Sequence, residues 1–134
     1  MEFEIAKYQG TFYEIFKQNA AFESQCFFSK ADYTLNDDKV LVHNTCYNNN
    51  YQEISHIDGV AEPTETQGVL NLQFYFNGNP GPVGIYRVFQ TDYINYSIVG
   101  NLDTNYLSIL VRDINNPNLN EYLEIAKSFG FKIV

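Results

Sequence analysis

Positive charge is scarce in this sequence. Eight Lys and Arg stand against sixteen Asp and Glu in 134 residues, a formal net charge of −8. Binding a phosphate backbone needs a basic surface, so nucleic acid is excluded as a partner, and electrostatic docking on an anionic membrane is disfavoured. Nothing approaches the roughly 18 consecutive apolar residues of a membrane span. Gly-rich phosphate loops, Cys/His/Asp sets at zinc spacing and carboxylates paired for glycosidase chemistry are all missing, so neither a cofactor nor a metal is expected. The first residues, Met1 to Ala6, lack the basic and apolar regions of a signal peptide. Either the chain is cytoplasmic, or a leader has been removed and replaced by a start Met. Only two cysteines occur, and no tryptophan.

What is abundant is aromatic: eleven Tyr and eleven Phe. They fall in short runs rich in Val, Ile and Thr, a strand composition. The runs are Thr11–Lys17, Cys26–Leu35, Lys39–Tyr47, Tyr51–Ala61, Val69–Phe76, Gly84–Gln90, Ile94–Gly100 and Asn105–Arg112. Asn-, Asp-, Gly- and Pro-containing turns separate them. Eight strands at this spacing, with no βαβ alternation, no repeat and no linker, predict a single all-β domain over residues 1–134, an antiparallel sandwich or barrel. After Pro117 the period changes. Leu119, Tyr122, Leu123, Ala126 and Phe129 recur at helix spacing, with Asn118 placed to cap the start and Gly130 the end. The tail from Phe131 to Val134 reads as a short last strand.

Several runs alternate with period two, which puts each set on one face. Leu70, Leu72, Phe74 and Phe76 form one row; Phe27, Ser29, Ala31, Tyr33 and Leu35 form another; Val40, Val42 and Asn44 a third. These faces mix apolar groups with hydroxyls and amides, which fits the wall of a cavity better than a dry core.

The order of eight strands, a helix and a short strand resembles the lipocalin barrel, an eight-stranded up-and-down antiparallel barrel with one helix outside. Gly10-Thr11-Phe12-Tyr13-Glu14-Ile15 is similar to the family's opening Gly-x-Trp-Tyr-Glu-Ile, with Phe12 where Trp is usual. Thr91-Asp92-Tyr93 resembles its second motif, and Arg112 stands where the third has its Arg. Cys26-x-x-x-x-Ala31-x-Tyr33-x-Leu35 followed by Val40-x-Val42-x-Asn44 looks like the branch containing apolipoprotein D and the bacterial outer-membrane lipocalins. The resemblance implies that Gly10, Phe12, Thr91, Asp92, Tyr93 and Arg112 build a closed barrel base, with the Arg112 guanidinium stacked on the Phe12 ring as a cation–π contact. Phe in place of Trp loses the indole donor and predicts a looser base. The intracellular fatty-acid-binding barrel is a rival of similar length. It needs a helix–turn–helix after the first strand, for which Gln18–Ser24 is too short.

Register then predicts the lining. If Arg112 points inward, so do Leu110, Ser108 and Tyr106, while Leu107, Ile109 and Val111 face the helix. Tyr86 and Val88 point inward from the sixth strand, and Ile57, Gly59 and Ala61 from the fourth, the last two leaving space. The candidate ligand-binding residues are thus Phe27, Tyr33, Val42, Asn44, Ile57, Leu70, Leu72, Phe74, Tyr86, Val88, Tyr106, Ser108 and Leu110. Tyr33, Tyr86, Tyr106, Ser108 and Asn44 are the groups to orient a polar head. Glu14 shares the parity of Phe12 and needs a partner, Arg112 or a tyrosine hydroxyl. The resemblance implies a carrier of a small hydrophobic molecule (a fatty acid, lysophospholipid, sterol, retinoid or tetrapyrrole), secreted or periplasmic if a leader was removed. A homodimer is left open.

Two alternatives stand beside this. Rings filling the barrel would leave a protein-interaction subunit. A cysteine would make an isomerase or redox enzyme, since lipocalin-type prostaglandin D synthase uses a cysteine near the position of Cys26. Parity turns Cys26 outward and Cys46 inward, which argues against both a cavity thiol at Cys26 and a Cys26–Cys46 disulfide unless a bulge intervenes. The relatives of that branch pair the cysteine matching Cys26 with a C-terminal one that this chain lacks. His43 and His56 each fall alone on outward positions and read as surface residues.

Overall fold

The computed structural model describes residues 2–18, 26–101 and 106–133. A 3₁₀ turn, Ile5–Tyr8, leads into eight strands: β1 (Gly10–Gln18), β2 (Phe28–Asn36), β3 (Lys39–Tyr47), β4 (Glu53–Pro63), β5 (Val69–Phe76), β6 (Asn79–Thr91), β7 (Tyr96–Gly100) and β8 (Leu107–Val111). Each pairs antiparallel with the next, and β8 pairs with β1, closing the barrel. Helix α1 (Leu119–Ser128) follows. Closure gives every strand a neighbour on both sides.

Most differences from the sequence expectation are at element ends. β6 begins at Asn79 rather than Gly84, because Asn77 and Gly78 (φ 52° and 81°) make a two-residue turn that lets pairing start at once. β4 runs on to Pro63 and begins two residues late, after a turn in which Tyr51 takes φ 61°. Residues 131–133 form no strand. The expected Gln18–Ser24 connection, the start of the eighth run at Asn105 and the last residue, Val134, lie wholly or partly outside the described residues. At the helix start the Asn118 side chain makes no capping bond. Its end closes as expected: Gly130 (φ 101°) donates its N–H to the Lys127 carbonyl and Phe131 to that of Ala126.

Two apolar layers result. Outside the barrel, Ile98, Leu107, Ile109, Val111, Tyr122 and Ala126 are buried between the sheet and α1, joined by Phe89 and Phe131. The Tyr96 and Tyr122 rings stack at 4.4 Å. A bulge between Glu14 and Phe16 swings Phe16 into this outer layer. Inside, Tyr8, Phe12, Val88, Val99 and Leu110 form a second cluster at one end of the barrel.

That end is the base, and its motif residues do what the resemblance implies. Phe12 is fully buried, with the Arg112 guanidinium carbon 3.8 Å from its ring centroid. Arg112 also donates to the carbonyls of Tyr93 (3.0 Å), Thr11 (3.2 Å) and Lys7 (3.3 Å). Gly10 must be glycine: its φ is 100°, and a Cβ there would sit 3.0 Å from Arg112 Nη1. In the β6–β7 turn, Asp92 Oδ1 accepts the backbone N–H groups of Ile94, Asn95 and Tyr96, and Oδ2 accepts Asn95 Nδ2. Partial burial alone would raise the Asp92 pKa, but the bonds from Asn95, Tyr96 and Ile94 outweigh it and hold it below the usual carboxylate value. Thr91 Oγ1 receives the Tyr93 N–H and donates to the Tyr96 carbonyl.

The N-terminal segment also takes part in the base. It fills the room that Phe12 leaves, with the Tyr8 ring 5.0 Å from Phe12 and 5.2 Å from Phe3. The Tyr93 hydroxyl accepts the Glu4 N–H and Gln67 Oε1 accepts the Phe3 N–H, strapping this segment across the base.

Candidate functional site

Above the base lies a cavity of about 410 Å³. Its floor is a tyrosine triad. The Tyr8 and Tyr86 hydroxyls are 2.9 Å apart, those of Tyr33 and Tyr86 3.0 Å, and Tyr8 is bonded at 2.6 Å to buried Ser97. Burial pushes the Tyr8 pKa up to about 12 and that of Tyr86 well above its ordinary value. The floor is therefore neutral hydroxyls, each already engaged.

Alternation delivers the walls, and most candidates from the sequence take part. Tyr33, Val42, Asn44, Leu70, Leu72 and Phe74 line the cavity, as do Tyr86, Tyr106, Ser108 and Leu110. Three do not. Phe27 precedes β2, where strand parity no longer holds; it is 60% exposed and packs edge-on against Tyr51 instead. Val88 points inward but is buried in the base cluster below the cavity. Ile57 is half-buried beyond the lining, one inward position closer to the mouth than Gly59. The Phe74 ring occupies the space expected beside Gly59, 2.8 Å from where a Cβ would be. Ala61 does line the cavity.

Three lining residues of the N-terminal segment, Phe3, Ile5 and Tyr8, went unread because the segment is not a strand and has no alternation to follow. Glu14 is in the wall, but neither Arg112 nor a tyrosine is its partner. Ser29 Oγ donates to Oε1 at 3.0 Å and Ser108 Oγ to Oε2 at 2.5 Å. Ser29 is the direct cross-strand neighbour of Glu14 on β2. On β3, Asn44 Oδ1 is shielded from solvent and has no hydrogen-bond partner.

Cys26 and Cys46 form a disulfide, against the parity argument. Cys26 lies two residues before β2 starts, so it is free to turn inward to Cys46, which keeps its inward position. With both thiols consumed, neither is a nucleophile in this state. The histidines are not isolated: the His43 and His56 rings are 5.1 Å apart on the outer face, with His43 bonded to Asp58 and His56 to Glu53. Among the described residues no cluster able to hold a metal ion is present, and no helix is long and apolar enough to cross a membrane.

Comparison with known proteins agrees with this architecture. The outer membrane lipoprotein Blc of Vibrio cholerae is 31% identical over 138 residues, covering 97% of this chain and 78% of that protein. The Lazarillo protein of Schistocerca americana is 29% identical over 130 residues, covering 88% and 59%. The fold matches insecticyanin from the tobacco hornworm Manduca sexta with a TM-score of 0.75 at 23% identity, over 96% of this chain and 74% of that one. The likeness to Blc is to the bacterial branch that the Cys26–Asn44 stretch resembles. Residues 3–134 match the family model of a lipocalin-like domain, and with that the chain belongs to the lipocalin family.

Proposed function

We propose that this protein binds and carries, or sequesters, one small molecule with an apolar body inside the barrel. Lipocalins generally bind small hydrophobic ligands and are not generally enzymes. The observation that supports the reading here is the cavity itself: about 410 Å³ above a sealed base, with walls mostly of aliphatic and aromatic side chains. That is the size and character of a small-molecule site. A barrel filled by its own rings, the interaction-subunit alternative, would not leave this space. Burial of ligand surface supplies the affinity, at about 25 cal/mol per Å² before ordering costs. The disulfide supports an oxidising compartment outside the cytoplasm.

Titration with Nile red, a neutral environment-sensitive dye, tests this. Saturable one-site enhancement is expected, with loss of binding in Leu72→Trp, which fills the cavity. Native mass spectrometry of freshly purified protein is expected to show a retained small molecule. A clean apo mass with no dye binding by the folded protein would refute the carrier reading.

A further inference from the structure

The polar groups of the cavity are unbalanced. Glu14 is half-buried in the wall between β8 and β2, and its two oxygens meet only the serine hydroxyls of Ser29 and Ser108. Among the described residues it makes no ion pair. Each carboxylate oxygen keeps a second lone pair unused. One strand further round, Asn44 Oδ1 is an acceptor with no donor. Asn44 lines the cavity, and its soft χ2 torsion allows that oxygen to turn toward a donor there. The register sets the two on one wall: Glu14 is opposite Ser29, and Asn44 is opposite Ala31, the next inward residue of β2.

The cations nearest the cavity among the described residues are each engaged elsewhere. Arg112 lies beneath the floor, bound to Phe12 and three carbonyls. Lys30 touches the wall, but its ammonium lies 6.0 Å from the Tyr47 ring centroid on the outer face. Lys17 faces inward opposite Ser108 but is not part of the cavity lining, and its ammonium is given to the Cys26 carbonyl at 3.3 Å. A ligand carboxylate would meet Glu14 with like charge, while Arg112, Lys30 and Lys17 are already engaged. Aromatic rings of Tyr33, Phe74 and Tyr106 face the same space, a favourable setting for an organic cation.

From this, and resting on the carrier reading above, we infer that the ligand is an organic cation: a protonated amine on a compact apolar or aromatic body, its N–H groups given to Glu14 and Asn44. Such a head supplies the donors that the wall lacks, and charge-assisted bonds of this kind are among the stronger ones. The net charge of −8 draws a cation toward the mouth.

Calorimetric titration with naphthylethylamine, naphthylethanol and naphthylacetate compares three heads on one aromatic body. The amine is expected to bind at least about tenfold tighter than the alcohol, with the carboxylate weakest. Glu14→Gln is expected to weaken the amine far more than the alcohol, so that their ratio collapses, and Asn44→Ala to weaken the amine by a smaller factor. Should either variant fail to fold, the ranking of the three heads on the unaltered protein decides. Tightest binding of the carboxylate or the alcohol overturns the amine assignment and leaves the carrier reading standing. So does Nile red binding without binding of the amine. Failure of all four probes overturns both.

Discussion

The two faces of β8 divide the labour of this molecule. Leu107, Ile109 and Val111 look outward onto α1 and are wholly dry. Ser108 and Leu110, between them in sequence, look inward, where Ser108 holds a carboxylate beside open space. The outer layer is a conventional core in which every contact contributes to stability. The inner layer stays hollow above the base, giving up dispersion and burial that a filled barrel would have. The loss is tolerated because the outer layer, the base and strand closure hold the barrel without it. Stability and binding are thereby set by residues adjacent in sequence but opposite in direction.

Substitutions in the two layers separate these roles. Ile109→Ala opens a void in the dry layer and is expected to cost about 3–4 kcal/mol, read as a lower denaturation midpoint with binding retained by the folded fraction. Leu72→Ala enlarges a space that already exists and is expected to cost about 1 kcal/mol or less while weakening Nile red binding. Equal losses at the two sites would break the distinction. Removing the disulfide by Cys26→Ser with Cys46→Ser opens a closure with a sequence separation of 20. In the chain-entropy model this costs about 3 kcal/mol, measured against the oxidised protein in the same denaturant series.

The base gives a subtler test. Since Tyr8 and Phe3 already fill it, Phe12→Trp adds volume where none is free. The expected result is a loss of about 1–3 kcal/mol, not a gain from restoring the residue usual in the family. A higher melting temperature would show that the base has slack. Asp92 supplies a pH handle. Its folded pKa is lowered, so its contribution is present above the ordinary carboxylate pKa of about 4 and is lost as pH falls through the lowered value. Denaturation midpoints of the wild type should fall more steeply on acidification than those of Asp92→Asn. The smallest effect belongs to the outer face of β3. His43 and Asp58 are bonded at 2.6 Å but are 44% and 67% exposed, so His43→Ala is expected to change stability by no more than about 0.5 kcal/mol.

The strands and most of the cavity wall were legible because alternation is a local property that each strand carries in its own residues, and the base through the resemblance of its motif residues to those of lipocalins. Legibility failed where alternation is broken. Before β2 the chain is no strand, so Phe27 and Cys26 were both misplaced. Glu14 points inward as parity predicts, but its partners are Ser29 and Ser108 on the neighbouring strands β2 and β8, a pairing that strand register decides and a single strand's pattern does not. The Phe74 ring lies over Gly59 through a rotamer, which no pattern encodes. Ile5–Tyr8 has no period to read, and only its docking shows that it supplies the floor.

Strand period and turn residues by themselves determined eight strands and one helix, a sandwich or a barrel, because they act over a few residues. The closed barrel with Phe12 and Arg112 at its base was what the resemblance to lipocalin motifs implied. Only the tertiary structure decided that the interior is hollow, that Cys26 reaches Cys46, and that Glu14 and Asn44 share a wall. Those outcomes depend on bulges, rotamers and volumes set jointly by residues far apart in the chain. The scarcity of positive charge bounded the partners from the start.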